Sequence, residues 1–233
     1  YIKRVTSDTF KTQRRGGRGV RGMGTNDNDL VELMIYTKTH TDLLLFTNFG
    51  KVYRTRGYTI PEQSRNSKGI PVVNLINIEK DEKVLSIISV DEYLENRYLM
   101  FVTEGGVVKK TSIKEYESIR QTGKIAITLR EGDSLLNVKE IEEDTIIGIA
   151  SNNGKMVNFY AHEVRPMGRT ASGVKGIDLS DGSVAVGVTT SLEGKYILSI
   201  TDRGFGKMSD ASDYRLTKRG AKGVSTLKAT DKV

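Results

Sequence analysis

The sequence has no cysteine and only two histidines among its 233 residues. The first absence excludes disulfides, thiolate nucleophiles and cysteine-ligated zinc, and it suits a reducing cytoplasm. The second leaves His40 and His162, far apart in the chain, so a transition-metal site would have to borrow carboxylates from distant segments. No apolar run is long enough to cross a bilayer, and no basic-then-apolar leader opens the chain. Neither a membrane span nor secretion is expected. A P-loop and a nucleophile elbow are also missing. The residues point to no independent catalysis, and no metal or cofactor site is expected.

Positive charge is present, and it is unevenly placed. Lys and Arg total 36 against 29 Asp and Glu, a formal charge of +7, with a pI near 9.4. That balance suits a polyanionic partner. From Tyr1 to Thr25, Lys3, Arg4, Lys11, Arg14, Arg15, Arg18 and Arg21 face a single acid, Asp8. From Glu131 to Asp144, six acids face one lysine, Lys139. The cluster Glu140, Glu142, Glu143 and Asp144 falls in an inter-strand turn. It reads as a surface that keeps a polyanion away rather than as a metal site.

The chain repeats about every fifty residues. Leu43 to Thr55, Tyr98 to Thr111, Ile146 to Phe159 and Tyr196 to Ser209 each read as strand, polar glycine turn, strand. Their turn glycines, Gly50, Gly106, Gly154 and Gly204, are 56, 48 and 50 residues apart. The opening YIKRV reads as the second strand of a further hairpin. Ten residues past each turn comes a bulky position, Phe10, Ile60, Tyr116, Val164 and Tyr214, expected to pack inside. A second glycine follows at Gly19, Gly69, Gly123, Gly173 and Gly223, spaced 50, 54, 50 and 50. Arg15, Arg65, Arg169 and Arg219 stand four residues before it; the third copy departs, with Arg120 three residues before Gly123. Further apolar stretches such as VVNLINI (72–78) and VLSIISV (84–90) complete a unit of roughly four short strands. Such units must stack on their neighbours, and radial repetition is the expected solution. The fold predicted is a single all-β, propeller-like domain over 1–233, with repeats at about 1–43, 44–97, 98–145, 146–195 and 196–233, the first and last partial.

One loop stands out. Gln13-Arg14-Arg15-Gly16-Gly17-Arg18-Gly19, continuing as Val20-Arg21-Gly22-Met23-Gly24, packs four arginines and five glycines into twelve residues. Gly17, Gly19 and Gly22 match a dinucleotide fingerprint in letters, but neither a buried strand before nor a helix after supports it. A disordered linker is the plainer reading, yet the stretch falls at the repeat's own second-glycine position. The third reading is a loop that grips nucleic-acid backbone. Arginine forks pair with phosphate, and glycines let main-chain N–H groups approach. Such contacts carry no base readout.

QRRGGRG resembles the gyrase A box, the signature of the gyrase A C-terminal domain family, at every position. The degenerate copies Arg65 to Gly69, Arg169 to Gly173 and Arg219 to Gly223, and the phrases YLMFVT and GYTIP, are similar to that family across the whole chain. The resemblance implies a six-bladed β-pinwheel whose blades exchange strands, of which about five are here, the ring being open or completed by further residues. It implies that duplex DNA bends around a basic rim, so that an ATP-dependent type II topoisomerase introduces negative supercoils. The partners implied are DNA, the rest of the gyrase A polypeptide, and the gyrase B polypeptide in an A2B2 holoenzyme. ATP, Mg²⁺ and the catalytic tyrosine would lie elsewhere, in a cytoplasmic, nucleoid-associated enzyme, and the isolated domain would be a monomer. The alternatives are the topoisomerase IV counterpart, which typically lacks an intact box, and a propeller scaffold for protein partners. The expected DNA contacts are the box and Arg21, then the turn cations Lys51, Arg54, Lys109, Lys110, Lys155, Arg203 and Lys207. The second loops add Arg65, Lys68, Arg120, Lys124, Arg169, Lys175, Arg219 and Lys222.

Overall fold

The computed structural model describes residues 1–10, 21–26, 29–119 and 122–227. Its strands are β1 (Asp42–Thr47), β2 (Lys51–Arg56), β3 (Val84–Val90), β4 (Tyr98–Thr103), β5 (Val107–Ser112), β6 (Lys124–Ile125) and β7 (Leu135–Ile141). They continue with β8 (Ile146–Ser151), β9 (Lys155–Tyr160), β10 (Val174–Lys175), β11 (Ala185–Thr190), β12 (Tyr196–Ile200), β13 (Gly206–Asp210) and β14 (Val224–Ser225). They form four-stranded sheets in the orders β3-β1-β2-β6, β7-β4-β5-β10 and β11-β8-β9-β14, and a two-stranded sheet β12-β13. The fold is all-β, as the repeat pattern predicts.

Each full sheet has one construction. The two central strands are the predicted hairpin, and a third strand from later in the same repeat pairs with its first member. The fourth strand is two residues long and follows directly on the second glycine of the next repeat. Sheets are thus completed by strands lent from the following repeat, the exchange that the family resemblance implies. The register agrees: Val174 pairs with Val108 and Val224 with Met156. Tyr1–Val5 takes part in the same way, through an antiparallel bridge between Ile2 and Ile70.

The hairpins of the three four-stranded sheets form because their strands bury most of their residues, whereas β12 and β13 leave most of theirs exposed. In β4, Leu99, Met100, Phe101 and Val102 are all 0% exposed, and a run apolar throughout is what a strand covered on both faces requires. Burial of a side chain such as Phe101 contributes about 1.5–3 kcal/mol. The turn that closes β4 on β5 needs Gly106, which sits at φ +77° while its N–H bonds the Thr103 carbonyl at 3.0 Å. A register shift recurs where the third strand meets the hairpin, at Phe46/Thr47, Val102/Thr103 and Ala185/Gly187, the signature of a β-bulge that bends the sheet.

Two features differ from the sequence reading. Every repeat carries a 3-10 turn just after its hairpin: Ser7–Thr9, Gly57–Thr59, Ile113–Tyr116, Ala161–Glu163 and Ala211–Asp213. One turn is too short to leave a helical periodicity. These turns deliver the bulky position inward, where Ile60, Tyr116, Val164 and Tyr214 are buried, while Phe10 is exposed. VVNLINI, expected to be strand-like, instead holds a 3-10 turn over Val72–Asn74, because Pro71 (φ −59°) leads into it and Leu75 N–H closes it on the Val72 carbonyl.

The chain divides into two compact units. One comprises Tyr1–Thr47, Val52–Glu92 and Ile119–Lys124, and the other Asn48–Lys51, Tyr93–Ser118 and Ile125–Val233. Leu43, Leu45, Tyr53, Ile60 and Ile76 form the core of the first. There the buried Glu82 carboxylate accepts from Thr47 Oγ1 at 2.7 Å, from Tyr53 Oη at 3.0 and 3.1 Å, and from Glu79 N–H at 2.8 Å. That bond and burial push the Tyr53 hydroxyl far above its ordinary pKa, with desolvation the larger cause. The second unit's core runs through Met100, Val102, Val108, Ile149, Val157 and Phe159.

Candidate nucleic-acid interface

The second-glycine loops are the structural counterpart of the arginine-rich heptad. Gln13 to Gly19 lie outside the described residues, and so does Arg120. The equivalent loops are described from their glycines outward. Gly173 has φ +85°, and a Cβ added there would stand 2.5 Å from the Val108 carbonyl oxygen. The loop therefore lies directly on the preceding hairpin's second strand, and only glycine fits. Gly69 sits on Ile2, and Gly223 on Met156, in the same way.

Three predicted cations of these loops point into solvent: Lys124, Lys175 and Lys222 are exposed. Lys175 also pairs with Asp178 at 3.4 Å, and Lys68 covers the Tyr1 ring at 3.8 Å from its centroid. Arg65, Arg169 and Arg219 are half-buried. Arg169 donates from Nη1 to the Ile125 carbonyl at 2.5 Å, and Arg219 makes the same bond to the Lys175 carbonyl at 2.6 Å.

The hairpin-turn cations divide. Arg203 and Lys207 are exposed, as is Arg21 just past the heptad, and Lys51 is half-buried. Arg54 pairs with Asp42 at 3.3 Å, a carboxylate that also meets Arg56. Lys155 pairs with Asp181 at 3.4 Å, whose carboxyl is held down at about 2, chiefly by bonds from Ser183. These two are pinned beside acids rather than presented alone.

Lys109 and Lys110 correct the expectation that both face a polyanion. They are 0% and 1% exposed. Lys110 Nζ binds Glu143 at 2.7 Å and lies over the Tyr98 ring. Lys109 Nζ donates to the carbonyls of Ala126 (2.5 Å), Arg169 (2.6 Å) and Gly168 (3.4 Å). Its charge is costly there: burial, helped by the nearby Arg169 guanidinium, lowers its pKa to about 7. A strand lysine whose long stem crosses apolar neighbours to reach backbone oxygens reads, in sequence, like any surface cation.

Lys3 is a further structural lysine of this kind. Its Nζ binds the carbonyls of Ser64 and Ser67 at 3.0 Å each, and that of Arg65. Lys3 and Lys109 share a register, three places after the turn glycine or its equivalent. Each lysine thus grips the next repeat's loop from inside, and the shared register was the signal that could have found them.

The acidic cluster is partly neutralised within the protein. Arg97 meets Glu142 at 2.8 Å and Glu140 at 3.7 Å, and Glu143 holds Lys110. Burial raises the Glu140 carboxyl above its usual range. His40 and His162 are exposed, and His162 stacks on Tyr160 at 5.0 Å.

The family model described as "DNA gyrase C-terminal domain, beta-propeller" matches residues 1–38, 41–91, 97–142, 149–190 and 195–233. The DNA gyrase A polypeptide of Ureaplasma parvum serovar 3 is 47% identical over 232 residues, covering 100% of this chain and 28% of that protein. The solved C-terminal domain of DNA topoisomerase IV superposes with a TM-score of 0.80 at 28% identity, over 97% of this chain and 69% of that one. The solved DNA gyrase A C-terminal domain gives 0.79 at 27%, over 96% and 73%. The chain spans little more than a quarter of its curated relative's length. With the family's matches running through all five repeats, this chain belongs to the DNA gyrase C-terminal domain, β-propeller family.

Proposed function

We propose that this chain binds duplex DNA along its recurring cationic loops and bends it. It would act as the accessory wrapping domain of a gyrase, the ATP-dependent type II topoisomerase that introduces negative supercoils with gyrase B in an A2B2 assembly in the bacterial cytoplasm. Its five repeats belong to one β-pinwheel. The observation that carries this reading is periodic: Arg65, Arg169 and Arg219 recur four residues before the second glycine, and the exposed lysines Lys124, Lys175 and Lys222 lie within two residues of it, on glycine loops seated on the neighbouring strand. Bending 20–30 bp of DNA costs about 1–6 kcal/mol, more than a single loop offsets, so contacts must be distributed. The intact heptad Gln13 to Gly19 with the exposed Arg21 beside it, the exposed turn cations Arg203 and Lys207, and Lys51, Lys68 and Arg65 extend the same path. The topoisomerase IV domain is the second reading, since its solved structure superposes as well as that of gyrase. The intact heptad and the 47% identity to a gyrase A polypeptide favour gyrase.

The test is DNA affinity across a salt series, for the wild type and for Arg14, Arg15 and Arg18 replaced together by alanine. Six or more phosphate contacts weaken binding by about a thousandfold or more between 50 and 200 mM salt. The triple variant loses bending, read by energy transfer between duplex ends. Affinity indifferent to salt sinks the proposal.

A further inference from the structure

Resting on that reading, we propose that Arg169 and Arg219 are positioning residues: each pins its own DNA-facing loop to the segment that follows the previous loop's glycine, so that successive loops form one continuous rail.

The bonds recur as a set. Arg169 reaches back 44 residues to the second residue of β6, and Arg219 reaches back 44 residues to the second residue of β10. Beside each arginine, a backbone bond runs in the opposite sense. Thr128 N–H donates to the Ala171 carbonyl at 3.3 Å, and Asp178 N–H to the Ala221 carbonyl at 2.9 Å. Thr128 and Asp178 both lie five residues past their repeat's second glycine. Gly24, five residues past Gly19, makes the same bond to Ser67 at 3.1 Å. Thr128 Oγ1 adds a bond to the Thr170 carbonyl at 2.7 Å, and Gly220 N–H one to Gly176 at 2.6 Å.

A bond that repeats fifty residues later on a different side-chain background is a property of the repeat. The guanidinium suits the task, because its planar fork anchors one N–H on a carbonyl while leaving other donors and the full charge near the surface. Lys109 holds the same loop from beneath, through the Gly168 and Arg169 carbonyls. Loop spacing would then be set by protein contacts before DNA arrives, and each loop would present its exposed lysine from a fixed place.

The test is the double variant Arg169→Gln, Arg219→Gln in the full chain. Without DNA, amide exchange at Thr128 and Asp178 rises about tenfold, the loss of a hydrogen bond near 1.4 kcal/mol, while amides of β8 and β9 keep their protection. With DNA at saturating protein, energy transfer between duplex ends falls although all DNA is bound. If the arginines contact phosphate instead, DNA-free exchange is unchanged, bending at saturation survives, and the slope of log affinity against log salt drops by about 1.8. That pattern overturns the strut. A wild type that binds no duplex at all overturns the wrapping function itself, and with it the purpose of the rail, whatever exchange shows.

Discussion

Replacing Lys109 with methionine should remove a pH dependence from the protein's stability. In the folded chain the Lys109 ammonium is buried and its pKa lies near 7, chiefly through desolvation, with Arg169 lowering it further and Glu115 opposing. In the unfolded chain it returns to the ordinary 10.5. Between about pH 7 and pH 10 the unfolded state therefore binds more protons, and stability rises with pH, by at most about 1.4 kcal/mol per pH unit. Integrated from pH 7 to pH 9, with half the folded molecules already neutral at the start, the gain is about 2 kcal/mol. A neutral amine keeps two N–H donors, which match the two short bonds to Ala126 and Arg169; the third, at 3.4 Å, is the weak one. Methionine keeps the stem but donates nothing and carries no proton. Urea unfolding of the wild type and of Lys109→Met at both pH values gives the stability gap between them. That gap widens by about 2 kcal/mol at the higher pH. The buried Tyr116 hydroxyl, pushed far above 10 by desolvation, stays protonated throughout and cancels. A gap that does not move with pH refutes the buried, half-neutral lysine.

Gly173→Ala should destabilise by at least about 2 kcal/mol, since it adds left-handed strain to a contact of 2.5 Å with a backbone oxygen. Gly182→Ala, with similar φ but nothing within 4 Å, should lose only the strain, about 1 kcal/mol. Equal losses in urea titrations would mean the loop does not sit on β5. Tyr53→Phe removes the one hydroxyl donor that lies within reach of both oxygens of the buried Glu82 carboxylate and should cost about 1–3 kcal/mol; an unshifted unfolding midpoint contradicts that network. Lys124→Ala and Lys222→Ala should each lower the salt slope of DNA binding by about 0.9. Lys109→Met should leave that slope unchanged, and a drop there would place Lys109 at the surface.

Much of this architecture is written in the sequence because its signals are short-range. A hairpin declares itself by two apolar runs around a polar glycine turn, and Leu43 to Thr55 or Ile146 to Phe159 need nothing distant to be read. The second glycines are equally visible, since their positive φ and close approach forbid any other residue. The strands they introduce are not: Val174–Lys175 is two residues long, and its identity as a strand depends wholly on β5, some 65 residues earlier. The 3-10 turns escape for the same reason of length. The candidate interface was legible as a period of basic positions, but not in its division of labour. Lys109, Lys3, Arg169 and Lys222 are alike as letters. What separates a carbonyl clasp from a free cation is which way the strand turns and what lies within reach of Nζ, and that is settled only when neighbouring repeats pack.

The central claim, that one chain guides DNA along a path of repeated loops, is tested most directly by hydroxyl-radical footprinting of a duplex several helical turns long. The account predicts protection in phase with the helix, at intervals of about 10 bp, continuing over successive turns and fading as salt rises. Protection confined to a single turn, or none at all, would contradict it.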